Sequence, residues 1–224
     1  TSTPTASSPN QKPPATAYKT APSDAATTPR FIEAAARHGV EFTYMRGETG
    51  EHWLPEAMGG GVAWLDFDGD GRLDLFFVQG CQLPHDDSGR FAAELFRNGG
   101  TGTWDVVPRW ASPSNTGFGM GVTAGDVNND GFDDLYVTNF GPDAYFENNG
   151  DGTFSDRTQA AGLGCPLWGT SAALSDLDGD GDLDLFVANY VRHDAAIVCI
   201  DPATGKRKYC GPDFFDGQPD VLYE

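Results

Sequence analysis

Positive charge is scarce in this sequence. Lys and Arg number 14 against 33 Asp and Glu, giving a formal net charge of -19. Nucleic-acid phosphates and anionic membrane surfaces both require a basic face, so neither is expected as a partner. Long apolar runs are also missing, and no segment approaches the roughly 18 residues that suggest a membrane span. Only four cysteines occur, none in a Cys-x-x-Cys pair, so zinc-ribbon and thioredoxin readings lack support. His38, His52, His85 and His193 show no metal-ligand spacing, and there is no His-Glu-x-x-His. Ser171 lies in Gly169-Thr170-Ser171-Ala172-Ala173, which lacks the second glycine of a nucleophile elbow. No Asn-x-Ser/Thr sequon is present, so N-glycosylation is not expected. With no catalytic constellation, the chain is not expected to be an enzyme.

Glycine is abundant, at 29 residues or roughly twice the usual share, and indicates turns and β-structure rather than helix bundles. Residues 1–29 stand apart: Pro, Thr, Ser and Ala fill 23 of the 29 positions. Such a segment cannot bury enough surface to offset its ordering entropy, and it reads as a semi-extended linker. The first residue is Thr rather than Met, as expected of a processed chain or a fragment. From residue 30 onward Gly, Asp and aromatics dominate.

Of 25 Asp, 13 fall in three windows, 66–74, 126–134 and 176–184, which superpose without gaps. Each is followed by a β-type run: Leu75 to Val78, Leu135 to Thr138, Leu185 to Ala188. A second run follows in each repeat: Leu95 to Asn98, Tyr145 to Asn148, Leu222 to Glu224. The first two of these lead into a glycine turn and an aromatic, Trp104 or Phe154. Phe154 to Gly162-Leu163 also matches Phe31 to Gly39-Val40 in spacing. One unit is therefore about four short strands. Tandem four-strand units of 50–60 residues predict an all-β fold, a β-propeller. Insertions at about 81–91 and 192–218 interrupt the pattern.

The windows read Asp-x-Asp-x-Asp-Gly-x-x-Asp. Oxygen ligands fall at positions 1, 3, 5 and 9, and the glycine at position 6 permits a sharp turn that can bring the position-7 carbonyl inward. Hard oxygens in that number suit Ca²⁺ better than Mg²⁺, Zn²⁺ or Cu²⁺. Three Ca²⁺ sites are expected. Asp66, Asp68, Asp70 and Asp74 with the carbonyl of Arg72 form the first. Asp126, Asn128, Asp130 and Asp134 with that of Phe132 form the second. Asp176, Asp178, Asp180 and Asp184 with that of Asp182 form the third. Asn128 leaves the second with one ligand charge fewer, so it is expected to be the weakest, and Asp133 is expected to point outward. An EF-hand would need Glu at position 12, where Phe77, Val137 and Val187 stand. The plain alternative is three solvated Asp-Gly turns, which crowded carboxylates disfavour unless a cation offsets them.

Cys199 and Cys210 share one insertion and form the expected disulfide. That leaves Cys81 and Cys165 as a second pair, with buried thiols as the alternative. Trp64, Trp104, Trp110 and Trp168 recur near strand positions and are expected to pack between units rather than to line a ligand cage.

The Gly-Val-Ala-x-x-Asp-x-Asp-x-Asp-Gly-x-x-Asp-Leu core, with Asn-x-Gly-x-Gly-x-Phe after it, resembles the FG-GAP or VCBS repeats of integrin-α-type propellers. Phe31 to Phe42, Met58-Gly59-Gly60-Gly61, and Cys199 to Pro212 resemble the cartilage acidic protein and ASPIC/UnbV group. The resemblance covers about 31–224. It implies a secreted Ca²⁺-binding propeller for adhesion or assembly, commonly seven-bladed. Only three Ca²⁺ motifs occur here, so residues 30–224 are expected to form an incomplete propeller of about three blades. Its partners would be another protein or further blades of the same protein. The expected location is extracellular, at a cell surface or periplasmic. A structural subunit of a larger surface or periplasmic assembly is the second reading, and an enzyme with its site on a propeller face the third.

Overall fold

The computed structural model describes residues 31–84 and 91–224. The expected linker at 1–29 and residues 85–90 of the first insertion lie outside the described residues. All the elements below belong to one unit, Ala34–Glu224.

The sequence repeat becomes three antiparallel sheets. The first contains β1 (Val62–Leu65), β2 (Asp74–Phe77), β3 (Glu94–Asn98) and β4 (Trp104–Val106), hydrogen-bonded in chain order. The second repeats that order with β5 (Gly119–Gly125), β6 (Asp134–Asn139), β7 (Gly141–Asn148) and β8 (Phe154–Asp156). A one-turn helix α1 (Thr158–Ala161) follows and ends at Gly162 in the left-handed region, φ 72°. Its sequence counterpart, Ala36–His38, is also a single helical turn, ended by left-handed Gly39. The third sheet begins with β9 (Gly169–Ser175) and β10 (Asp184–Asn189). The 192–218 insertion then supplies a small hairpin, β11 (Cys199–Ile200) and β12 (Arg207–Lys208). Finally β13 (Val221–Tyr223) returns to pair with β10. The registers correspond: Leu75 lies opposite Trp64 and Phe96, Leu135 opposite Ala124 and Phe146, and Leu185 opposite Leu174 and Tyr223.

Alternation along the strands decides how the sheets stack, because successive side chains point to opposite faces. Ala63, Leu65, Phe76 and Leu95 face forward from the first sheet. They meet Leu135, Val137, Phe146, Val122, Ala124 and Ala144, the rearward row of the second. Tyr136 and Tyr145 face forward from the second sheet onto Leu185, Val187, Ala172, Leu174 and Tyr223 of the third. The next forward row, Ala173, Phe186 and Leu222, is exposed, Phe186 by 43% and Leu222 by 45%. Close approach of the leading strands needs glycine: a Cβ on Gly61 would meet Gly121 Cα at 2.9 Å, and one on Gly121 would meet Thr170 O at 2.6 Å. Ser171 holds the equivalent place in the third sheet, and it is exposed.

Three expectations about side chains need correction. Trp64 is 54% exposed because it lies on the rearward row of the first sheet, and Trp110 is 79% exposed. Trp168, by contrast, is buried, in a cluster with Phe118 and Met120. Cys81 and Cys165 do not form the second disulfide; both are buried thiols. Cys81 sits in the apolar cluster around Leu54 and Leu83, whereas Cys165 lies beside the Asn189 amide. The Cys199–Cys210 disulfide forms as expected and spans the β11–β12 hairpin.

Truncation should cost most where rows are covered. Leu135→Ala is expected to lose about 2–5 kcal/mol in urea unfolding, and Leu222→Ala less than about 0.5 kcal/mol. A second expectation concerns Asp143, which is buried and accepts the Tyr136 hydroxyl (2.9 Å) and the Asn139 N–H (2.8 Å). Burial pushes its carboxyl up to about 7, against those hydrogen bonds. Between the ordinary carboxylate range and pH 7 the folded state keeps a proton that the unfolded chain has released. This contribution to stability is therefore full at low pH and lost as pH rises through about 7. Urea midpoints at pH 5 and pH 8 should show this fall in the parent and not in Asp143→Asn.

Candidate metal centre

The acidic windows form the hairpin loops β1–β2, β5–β6 and β9–β10, with strands rather than helices on both sides. Their shape follows from short side chains bonding their own backbone. The first carboxylate of each loop accepts two N–H groups. Asp66 takes those of Asp70 (3.1 Å) and Gly71 (2.8 Å), and Asp126 those of Asp130 (3.0 Å) and Gly131 (2.8 Å). Asp176 takes those of Gly179 (2.6 Å) and Gly181 (3.1 Å). Position 3 accepts from position 5 in each: Asp68 from Asp70, Asn128 from Asp130, Asp178 from Asp180. Position 5 accepts from position 7: Asp70 from Arg72, Asp130 from Phe132, Asp180 from Asp182. Positions 4 and 6 take positive φ, supplied by glycine everywhere except Asn129 at φ 58°. Asn is one of the few other residues that tolerate that region.

Carboxylate oxygens of Asp66, Asp68 and Asp74 come within 4.8 Å of one another, as do those of Asp176, Asp178 and Asp184. In the second loop Asn128 replaces one of the three acids. The ninth aspartate is the most constrained. Asp74 accepts N–H groups from Phe67 (3.2 Å) and Asn98 (2.6 Å). Asp134 accepts those of Val127 (3.2 Å) and Asn148 (2.8 Å) and the Tyr145 hydroxyl (2.8 Å). Asp184 accepts that of Leu177 (2.7 Å). Burial pushes Asp74 up to about 6, helped by the charges of Asp68 and Asp70 and opposed by its two N–H donors. Burial likewise raises Asp134. Anionic oxygens held this close repel unless a cation joins them, and the donor set, all oxygen, fits a hard divalent ion.

The loops also bind one another. Asp133, directed away from its own loop, accepts the Asp66 N–H (3.3 Å). The Phe132 ring lies against Gly69 of the first loop. Asn129 donates to Asp182 Oδ1 (2.7 Å), so that side chain turns toward the second loop. Around the first loop, Arg97 pairs with Asp68 and with Asp70 (3.2 Å), and Arg72 pairs with Asp70. Sequence reasoning gave no role to Asn98 and Asn148, although both open the Asn-x-Gly-x-Gly repeat that could have flagged them. Asn148 donates to Phe67 O of the first sheet (3.0 Å) and to Asp133 O (3.2 Å), and its own Oδ1 accepts Gly150 N–H (3.0 Å). Asn98 likewise donates to Leu73 O and accepts Gly100 N–H. Asn148→Ala leaves buried carbonyls unpaired and should cost about 1–3 kcal/mol. Urea unfolding in excess chelator measures this without any contribution from a metal.

Among the described residues no helix is long and apolar enough to cross a membrane. No curated protein matches the chain. The FG-GAP-like repeat profile matches it twice, over residues 66–137 and 126–187. Each match starts on the first aspartate of a loop and runs through the next loop into the strand beyond, so together they span more than half of the sequence. The three loops, their sheets and these two matches agree, and the chain belongs to the FG-GAP-like repeat family.

Proposed function

We propose that the chain is a non-enzymatic, extracytoplasmic segment of a β-propeller, stabilised by calcium and used in protein–protein interaction or adhesion. The observation that carries this reading is the threefold acidic loop, with three carboxylates converging in the first and third copies. Bound Ca²⁺ would offset the charge of each loop and fix its turn. Asp66, Asp68, Asp70 and Asp74 with the Arg72 carbonyl would hold one ion. Asp126, Asn128, Asp130 and Asp134 with the Phe132 carbonyl would hold the second. Asp176, Asp178, Asp180 and Asp184 with the Asp182 carbonyl would hold the third. The third loop, which has four ligand carboxylates and no ion pair to an arginine among the described residues, should bind most tightly. The second should bind most weakly.

The partner surfaces are the two uncovered rows. Val62, Trp64 and Val106 are exposed on the first sheet, and Phe186 and Leu222 on the third. Exposed apolar rows of this kind mark interaction sites. They suit further units of the same repeat, in a propeller of the cartilage acidic protein and ASPIC/UnbV kind, or a separate protein within a larger surface assembly. The disulfide fits an oxidising compartment.

Thermal unfolding with Ca²⁺ and with chelator tests the metal reading. Ligand binding to the folded state raises stability by RT ln(1 + [L]/Kd), so the midpoint should rise with Ca²⁺ and fall back on chelation. Mg²⁺ should do much less. Asp180→Ala should lower the calorimetric stoichiometry by one site. An unchanged midpoint after verified metal removal would sink the proposal.

A further inference from the structure

The strand ends away from the acidic loops carry a second cluster. Phe118 precedes β5, Phe140 joins β6 to β7, Trp168 precedes β9, and Tyr190 and His193 follow β10. The acidic loops join the other ends of these strands. The rings interlock: Phe140 and Trp168 lie 4.9 Å apart, Trp168 and Tyr190 5.3 Å, His193 and Phe215 5.2 Å. Among them opens a pocket of about 250 Å³, walled chiefly by Trp53, Leu83, Phe118, Phe140 and His193.

Two buried polar groups belong to this region and lack partners. Glu56 is fully buried; its Oε1 accepts the Thr49 hydroxyl (2.6 Å), while Oε2 has no hydrogen-bond partner among the described residues. The Trp168 indole N–H is likewise unpartnered. Glu56 lies near enough for its charge to act on the His193 imidazole and on the Tyr209 phenol. The arginines of the neighbouring loops are already engaged, Arg46 with Glu48 (2.9 Å) and Arg207 with Glu51. A buried carboxylate without a counter-ion is costly. Each buried unsatisfied polar group therefore calls for a partner.

The chemistry of the walls narrows that partner. Aromatic faces attract a cation through the ring quadrupole and attract a neutral group of the same shape much less. Burial pushes the His193 imidazole down, which keeps it neutral near pH 7, so it does not repel a positive ligand. The groups of acids placed to hold a metal ion, among the described residues, are in the acidic loops, so the ring of oxygens that a hard ion needs is not assembled here. A weakly hydrated organic cation requires no such ring. We propose that this pocket binds an alkylammonium cation, with its methyl groups against Trp53, Phe118 and Phe140 and its charge offset by Glu56. The site is separate from the acidic loops and does not depend on their metal.

Titration of the full chain with choline, beside its neutral isostere 3,3-dimethylbutan-1-ol, tests this by calorimetry and tryptophan fluorescence. Choline should bind saturably and at least tenfold more tightly than the isostere. Glu56→Gln should bring choline down to the level of the isostere, in a variant whose circular dichroism matches the parent. Trp53→Leu keeps an apolar wall without a π face, and should weaken choline tenfold while sparing the isostere; it decides the matter if Glu56→Gln does not fold. Equal binding of both probes, or no saturable binding of choline, overturns the proposal.

Discussion

The carboxylate at the ninth loop position, Asp74, Asp134 or Asp184, is where loop and sheet meet. It opens the second strand of its sheet, so its peptide belongs to the ladder. Its side chain reaches back to an N–H at the second loop position and, in the first two sheets, across to the third strand. Remove it and the loop loses its anchor at the same moment that the strand loses its end. The other acids of the loop are free to curl around a common centre because this one is fixed. The rise in the Asp74 carboxyl shows the electrostatic cost of that arrangement, with burial first and its neighbours' charge added.

Much of this was legible because it is local and repeated. Loop, strand and turn recur with the same spacing, and the position of glycine within each loop follows from the left-handed backbone there. The pairing of Cys199 with Cys210 was legible for the same reason, since both lie in one insertion. What escaped depends on neighbours distant in sequence. Asn148 matters through its bond to Phe67, 81 residues away. Trp64 looks like a core residue by composition, yet the parity of its strand turns it away from the second sheet. Cys81 and Cys165 made an even count, but each is packed into a different cluster. Glu56 gave no signal at all: one acidic residue in a short Leu-Pro-Glu-Ala turn becomes exceptional only when the fold closes over it.

The two ends of the sheets divide the chemistry. One end gathers carboxylates on tight, self-bonded turns and answers to hard cations. The other gathers aromatic rings on longer connections and insertions, where a repeat can vary without disturbing its strands. The strands between them are nearly interchangeable from sheet to sheet, as their matching registers show.

The stacking rows carry a direction. Each sheet offers one kind of row forward and accepts another kind behind, so the contact between units joins unlike surfaces. Such a head-to-tail contact contains no twofold symmetry and therefore no self-limiting pair. Adding a unit covers one exposed row and creates another, so the number of exposed ends is not reduced by growth. Only closure into a ring or a cap of different composition removes both, which makes the geometry of the turn from unit to unit, rather than the strength of any single contact, the quantity that decides the final size.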